Sequence, residues 1–162
     1  MRTKLAIATL IGLTSLMTRA EELKKLSLDD TSTVSPKIEI DPTVRVEGKG
    51  SLKITTKWPT TVCLGEVSGP DVENAKLVYA ARVKSELDGA AFLEMWAHFG
   101  SQQYFSRGMN DPVEDTSDWK SIQTPFVFQK AQKPDKVTLN LIIDGIGTIW
   151  IDDIVLFREP LE

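Results

Sequence analysis

Between Val137 and Phe157 the chain reads VTLNLIIDGIGTIWIDDIVLF, two apolar runs on either side of Asp144-Gly145-Ile146-Gly147. With a period of two, Val137, Leu139, Leu141 and Ile143 share one face of a strand, and Thr138 and Asn140 share the other. The intervening glycines permit positive φ, so the pattern predicts a hairpin that reverses at 144–147. The second run is apolar on both faces except at Asp152 and Asp153, which predicts a strand covered on both sides. A carboxylate inside such a strand needs hydrogen bonds, a counter-charge or a metal.

Upstream, the same alternation recurs in short pieces. Ile38 and Ile40 alternate with charge before Asp41-Pro42, Leu52 and Ile54 alternate with Lys53 and Thr55 before Trp58-Pro59, and Val62 to Val67 closes at Ser68-Gly69-Pro70. From Lys76 to Glu86, Leu77, Tyr79, Ala81 and Val83 lie opposite Arg82, Lys84 and Glu86. From Ala91 to Phe99, Leu93, Met95, Ala97 and Phe99 lie opposite Phe92, Glu94, Trp96 and His98. Asp88-Gly89 between these two runs reads as a second hairpin turn. Asp111 to Asp118 is acidic and reads as a loop, and Trp119 to Phe128 as an edge or bent strand because Pro125 interrupts it. No amphipathic helix and no repeat accompanies these runs. Roughly eight to ten antiparallel strands with frequent turn signals predict an all-β fold, a β-sandwich of the jelly-roll kind.

The N-terminus departs from this pattern. Arg2 and Lys4 precede an apolar run of 13 residues, Leu5 to Met17, and Thr18-Arg19-Ala20 offers a cleavage site. That is the pattern of a secretory signal peptide over residues 1–20, and the run is short for a membrane span. Residues 21–36 are polar and read as a linker or a loose first strand, which leaves 37–162 as the sandwich domain. Loss of residues 1–20 removes three basic residues and no acid, taking the formal charge from −4 to −7. An acidic chain without a basic cluster is a poor partner for a phosphate backbone, so nucleic acid is excluded. Cys63 is the sole cysteine, which excludes an intrachain disulfide; within Thr61-Val62-Cys63-Leu64 it reads as a small buried hydrophobe.

Three stretches carry a resemblance: Gly48-Lys49-Gly50-Ser51-Leu52-Lys53-Ile54, Asp118-Trp119-Lys120 ahead of Pro125-Phe126, and Gly147-Thr148-Ile149-Trp150-Ile151-Asp152-Asp153-Ile154. Together they resemble the carbohydrate-binding-module type of jelly roll, of the galactose-binding-domain-like superfamily, over residues 37–158. The resemblance implies a structural Ca²⁺, with Asp152 and the carbonyl of Lys49 as ligands. The Gly-Phe-Glu usual in the first strand of such domains is missing from residues 21–36, which removes one expected ligand. The alternative role for Asp152 is to cap loop amides at a sheet end. Trp119 and Trp150 fall in the fold's own motifs and read as core.

The candidate binding face is the polar side of the run from Ala91 to Phe99. Glu94, Trp96 and His98 share it, and an indole offers a stacking surface while polar neighbours take hydroxyls. Arg82, Lys84 and Asn140 are placed on the same face from neighbouring runs, with Tyr104, Phe105 and Arg107 as a wall. The competing role for Trp96 and Phe92 is packing beneath the 101–118 segment. Trp58, ahead of Pro59, is a candidate for exposure on a loop. Catalysis finds little support: His98 is the sole histidine, and the chain carries no Gly-x-Ser-x-Gly, no His-Glu-x-x-His and no cysteine pair. The expectation is a secreted or periplasmic, monomeric, non-catalytic module that binds carbohydrate. The alternative is a protein-interaction or scaffold module of the cell envelope with no sugar site.

Overall fold

The computed structural model describes residues 20–26 and 38–161. The expected leader, apart from Ala20, and the spacer beyond Leu26 lie outside the described residues. Eight strands and no helix make up what is described: β1 (Glu21–Lys25), β2 (Ile38–Asp41), β3 (Ser51–Thr56), β4 (Thr60–Ser68), β5 (Ala75–Phe99), β6 (Gln102–Arg107), β7 (Val113–Phe128) and β8 (Lys136–Pro160). All pairings are antiparallel.

Two strands of 25 residues, β5 and β8, pair along almost their whole lengths, from Ala75↔Pro160 to His98↔Lys136. Drawn straight, each would span about 80 Å. Instead the ring of Phe99, at the end of β5, lies 6.3 Å from that of Phe128, which pairs with Ala75 at its start. The pair of strands is therefore folded back on itself, and its two halves form the two layers of a β-sandwich. In the first layer β7 flanks the beginning of β5, while β3 and β1 flank the end of β8, with β2 outside β3. The second layer runs β6, the end of β5, the beginning of β8, then β4.

Here both predicted hairpins are corrected. Asp88-Gly89 and 144–147 are not turns; they face each other as Asp88↔Ile146 and Gly89↔Gly145, midway along the paired strands. Glycine is required there for close approach rather than for reversal. A Cβ on Gly89, where φ is +130°, would sit 2.3 Å from the Asp144 carbonyl oxygen, and one on Gly147, where φ is +138°, 2.2 Å from that of Glu86. Strands that pass from one layer of a sandwich to the other need such a corner. The acidic 111–118 loop is corrected in part as well. From Val113 onward it is strand, and Thr116↔Glu86 and Glu114↔Ala90 continue β7 along the corner.

Alternation along β5 is unbroken through the corner. Leu77, Tyr79, Ala81 and Val83 in the first layer and Ala91, Leu93, Met95 and Ala97 in the second all enter one core. From β8, Leu139, Leu141, Ile143, Ile149 and Ile151 join them, and then Ile154 and Leu156. That change of parity marks a bulge: Arg82↔Asp152 is followed by Ala80↔Val155, and the extra residue is taken up at Asp153, whose φ is +49°. The second apolar run thus looked apolar on both faces partly because its inward phase shifts. Trp150, on the outward side, is nonetheless buried; its Nε1 donates to Asp41 Oδ2 at 3.0 Å, and Lys53 Nζ lies 5.9 Å from its ring centroid.

Cys63 is the other correction: it is exposed. Val62 and Leu64 take the two inward positions of that segment, and the residue between them must point out.

Candidate functional site

The outward face of the second layer carries residues from all four strands. Cross-strand register sets Arg107, Glu94 and Asn140 in one row and Phe105, Trp96 and Thr138 in the next. A third row holds Gln103, His98 and Lys136, and on the near side Phe92 stands beside Ile142, with Thr61 beyond it.

Glu94 is the centre of this face and is buried, at 3% exposure. Its Oε1 accepts from Trp96 Nε1 at 2.6 Å and from Asn140 Nδ2 at 3.1 Å, and its Oε2 from Arg107 Nε at 2.5 Å. Burial alone would push the carboxyl pKa up, but the hydrogen bonds from Arg107, Trp96 and Asn140 outweigh it, so Glu94 is held below the ordinary carboxylate value. Three donors on three strands therefore keep one buried charge in place. Arg107 is fixed twice, because its guanidinium carbon also lies 4.7 Å from the Phe105 ring centroid, and Phe105 is 5.0 Å from Trp96, ring to ring. Farther along, His98 Nε2 and Thr138 Oγ1 are 2.9 Å apart, and Thr138 donates to Glu66 Oε1 at 3.2 Å. Lys136 holds Glu66 at 2.7 Å, and that hydrogen bond is the main cause of the lowered Glu66 pKa.

An open cleft of about 580 Å³ begins at Glu94 and Arg107 and runs toward the glycine corner. Phe92 and Ile142 form an apolar floor, the segment Pro59–Thr61 one side and Met109 the other, with Asp144 at the far end. The cleft is open to solvent, and its lining is about as polar as it is apolar.

The structure brings Glu94, Trp96 and His98 to one face, as the alternation predicts, and the pairing of β6 with β5 sets Arg107 beside Glu94. It does not bring Arg82 or Tyr104 there. Arg82 lies on the outward face of the first layer, between Ser121 and Asp152, on the far side of the glycine corner. Tyr104 pairs with Ala97, an inward position, so it stands on the opposite face of β6 from Phe105 and contacts Phe99 edge-on at 5.9 Å. Lys84 likewise belongs to the first layer, where it pairs with Asp118 at 3.1 Å. Trp96 is on the face but outside the cleft lining, its N–H bonded to Glu94. Phe92 and Ile142 were visible in the sequence as outward positions of apolar runs. Met109 and Pro59 carry no such signal, because their loops are placed only by the closure of the sandwich.

Asp152 is a capping group. Its Oδ2 accepts from the amides of Val46 at 2.7 Å and Glu47 at 3.1 Å, and its Oδ1 from Asp153 N at 2.7 Å. The Lys49 carbonyl lies 3.4 Å from Arg45 Nη1. A cation needs oxygen ligands, and what converges on Asp152 is N–H. Among the described residues no group of three or more His, Cys, Asp or Glu is placed to hold a metal. The donor set does not fit Ca²⁺. Asp41 serves the same loop from its other end, accepting from Thr43 N at 2.9 Å and Val44 N at 3.1 Å; hydrogen bonds from Thr43, Trp150 and Val44 hold its carboxyl well below the usual range.

Neither a family profile nor any curated protein matches the sequence. Solved structures do match. A tandem of two family 22 carbohydrate-binding modules from Paenibacillus barcinonensis Xyn10C superposes with a TM-score of 0.64 at 15% identity, covering 91% of this chain and 47% of that one. A xylan-binding domain of the same module family gives 0.60 at 9% identity, over 88% and 97%. A cyclase from Fischerella sp. TAU gives 0.56 at 14% identity, over 72% and 66%. At these identities the likeness is one of fold: the chain shares its β-sandwich architecture with these structures.

Proposed function

We propose that the protein is a non-catalytic carbohydrate-binding module that acts outside the cytoplasm, with its ligand on the outward face of the second layer. The observation that carries the reading is the cleft itself. Its apolar floor, Phe92 and Ile142, suits the CH-rich face of a pyranose, and Arg107, Thr61 and Asp144 stand around that floor to meet hydroxyls. The groups rest on paired strands, so little ordering is needed when ligand binds. Neighbours of the same fold that are named for binding xylan support the class of ligand.

A binding role is favoured over hydrolysis by the state of the acids. Glu94 has donors on both oxygens, and Asp144, the other carboxylate of the cleft, is four strand positions away, about 13 Å. Acid pairs that cleave glycosides lie closer, at about 5–9.5 Å. Export is supported by the basic, apolar and small-residue order of residues 1–20. Among the described residues no helix is long and apolar enough to cross a membrane.

A glycan array and polysaccharide pull-down with the purified protein, beside Phe92→Ala and Met109→Ala, tests this. Binding that weakens at least tenfold in Phe92→Ala is expected. Failure to bind any glycan overturns the reading in favour of a protein-interaction module.

A further inference from the structure

Arg107 is held in a way that its hydrogen bond to Glu94 alone does not require. Nε is bonded to Glu94, the guanidinium carbon lies against the Phe105 ring, and the two terminal nitrogens have no protein partner among the described residues. A guanidinium fixed at one nitrogen and one face presents its other edge as a planar donor fork, the shape that matches a carboxylate with two parallel hydrogen bonds. The fork lies at the mouth of the cleft, beside the apolar floor.

We infer that the cleft selects an acidic glycan, one whose sugar rings carry a carboxylate, and that Arg107 is the residue that reads it. This rests on the carbohydrate reading above. The two nearby acids do not argue against an anion. Glu94 already accepts from Trp96, Asn140 and Arg107, and its charge is matched within the protein. Asp144 is about 13 Å along the strands, beyond the screening length of about 8 Å at physiological salt. At that distance Asp144 serves as an acceptor for hydroxyls at the other end of the ligand. Glu94 is a positioning residue in this scheme: it fixes the fork without touching the ligand.

The test uses the ligand rather than the fold. Binding of the intact protein is measured to polygalacturonate, alginate and a glucuronate-bearing xylan, each beside its carboxyl-reduced counterpart, in which the acid has become a primary alcohol. The expected result is that at least one acidic polymer binds ten times or more tightly than its reduced form. That preference should vanish in Glu94→Gln/Arg107→Gln, a pair that removes both charges together and leaves no buried carboxylate unpaired. Equal binding of acidic and reduced forms for every polymer that binds overturns the inference while the carbohydrate reading stands. Binding confined to neutral glycans does the same. A preference that survives in the double variant removes Arg107 from the role, and no glycan binding of any kind overturns both readings.

Discussion

Glu94 shows how a charge can lie buried on the outward side of a sheet. Three donors from three strands meet it, and each is a group that would otherwise need water. Because its folded pKa is depressed, the stabilisation it brings is complete above its ordinary value of about 4.3 and is lost as pH falls through the lower folded value. The melting temperature of the protein should therefore drop below about pH 4, and Glu94→Gln should lack that part of the fall. At neutral pH the same variant should cost about 1–3 kcal/mol, because Arg107 loses its anion and the amide sets N–H against N–H. Urea unfolding at several pH values reads both effects. Tyr79 is the converse case. Its ring is fully buried in the core, its hydroxyl has no partner among the described residues, and burial pushes its pKa up. Tyr79→Phe removes an unpaired polar atom at nearly constant volume, so it should leave stability unchanged or raise it by up to about 1 kcal/mol. A fall of more than that in the urea midpoint would mean the hydroxyl has a partner in solution.

At the scale of the element, the alternating runs are strand as their pattern predicts, while β6 and the first part of β7 lack that pattern, and the two long strands continue where the pattern predicts turns. Alternation is a local property, so the inward set from Leu77 to Ala97 was legible, and with it the face that holds Glu94, Trp96 and His98. A glycine in a strand pattern has two meanings, a turn or a close approach, and local sequence does not separate them. Asp88-Gly89 and 144–147 are the second kind, and only their pairing with each other reveals it. The same limit explains Arg82. Its parity was right, but a corner lies between it and Trp96. The two meanings predict different mutants. Gly89→Ala and Gly147→Ala drive a Cβ into a backbone carbonyl at a φ reserved for glycine, and the backbone strain alone costs about 1–3 kcal/mol before the clash is added. Gly69, with φ of +51° and nothing within 4 Å, is a true loop glycine, and Gly69→Ala should cost only about 1–2 kcal/mol. Thermal denaturation of the three variants should rank Gly69→Ala well above the other two; equal losses would reject the corner.

For the whole molecule, the shared strands mean that neither layer can be removed without cutting the other. The core contains side chains from both halves of β5 and both halves of β8 in a single cluster. Unfolding should be one transition, with the calorimetric and van't Hoff enthalpies equal, and a resolved intermediate with one layer intact would contradict it. Metal should not matter to that transition. Asp152 ties β8 to the 42–47 loop through amides, so neither EDTA nor added Ca²⁺ is expected to move the melting temperature. A shift upward with Ca²⁺ would show that ligands outside the described residues complete a site. The fold class was legible because it needs only strand count and spacing. The cleft was not, since its walls, Pro59 and Met109, come from loops about 50 residues apart in sequence that meet only when the sandwich closes.

The unbroken β5 has one more consequence, which concerns inheritance rather than energy. Because a single parity runs from the core of the first layer to the binding face of the second, the two halves share a reading phase. Loss or gain of one residue near Gly89 would turn Leu93 and Met95 outward and bring Glu94 and Trp96 into the core, inverting the site without touching it. Changes by two residues would preserve the phase. Descendants of this chain should therefore vary freely in the lengths of their loops and hold the span between Val83 and Leu93 fixed, or change it only in pairs.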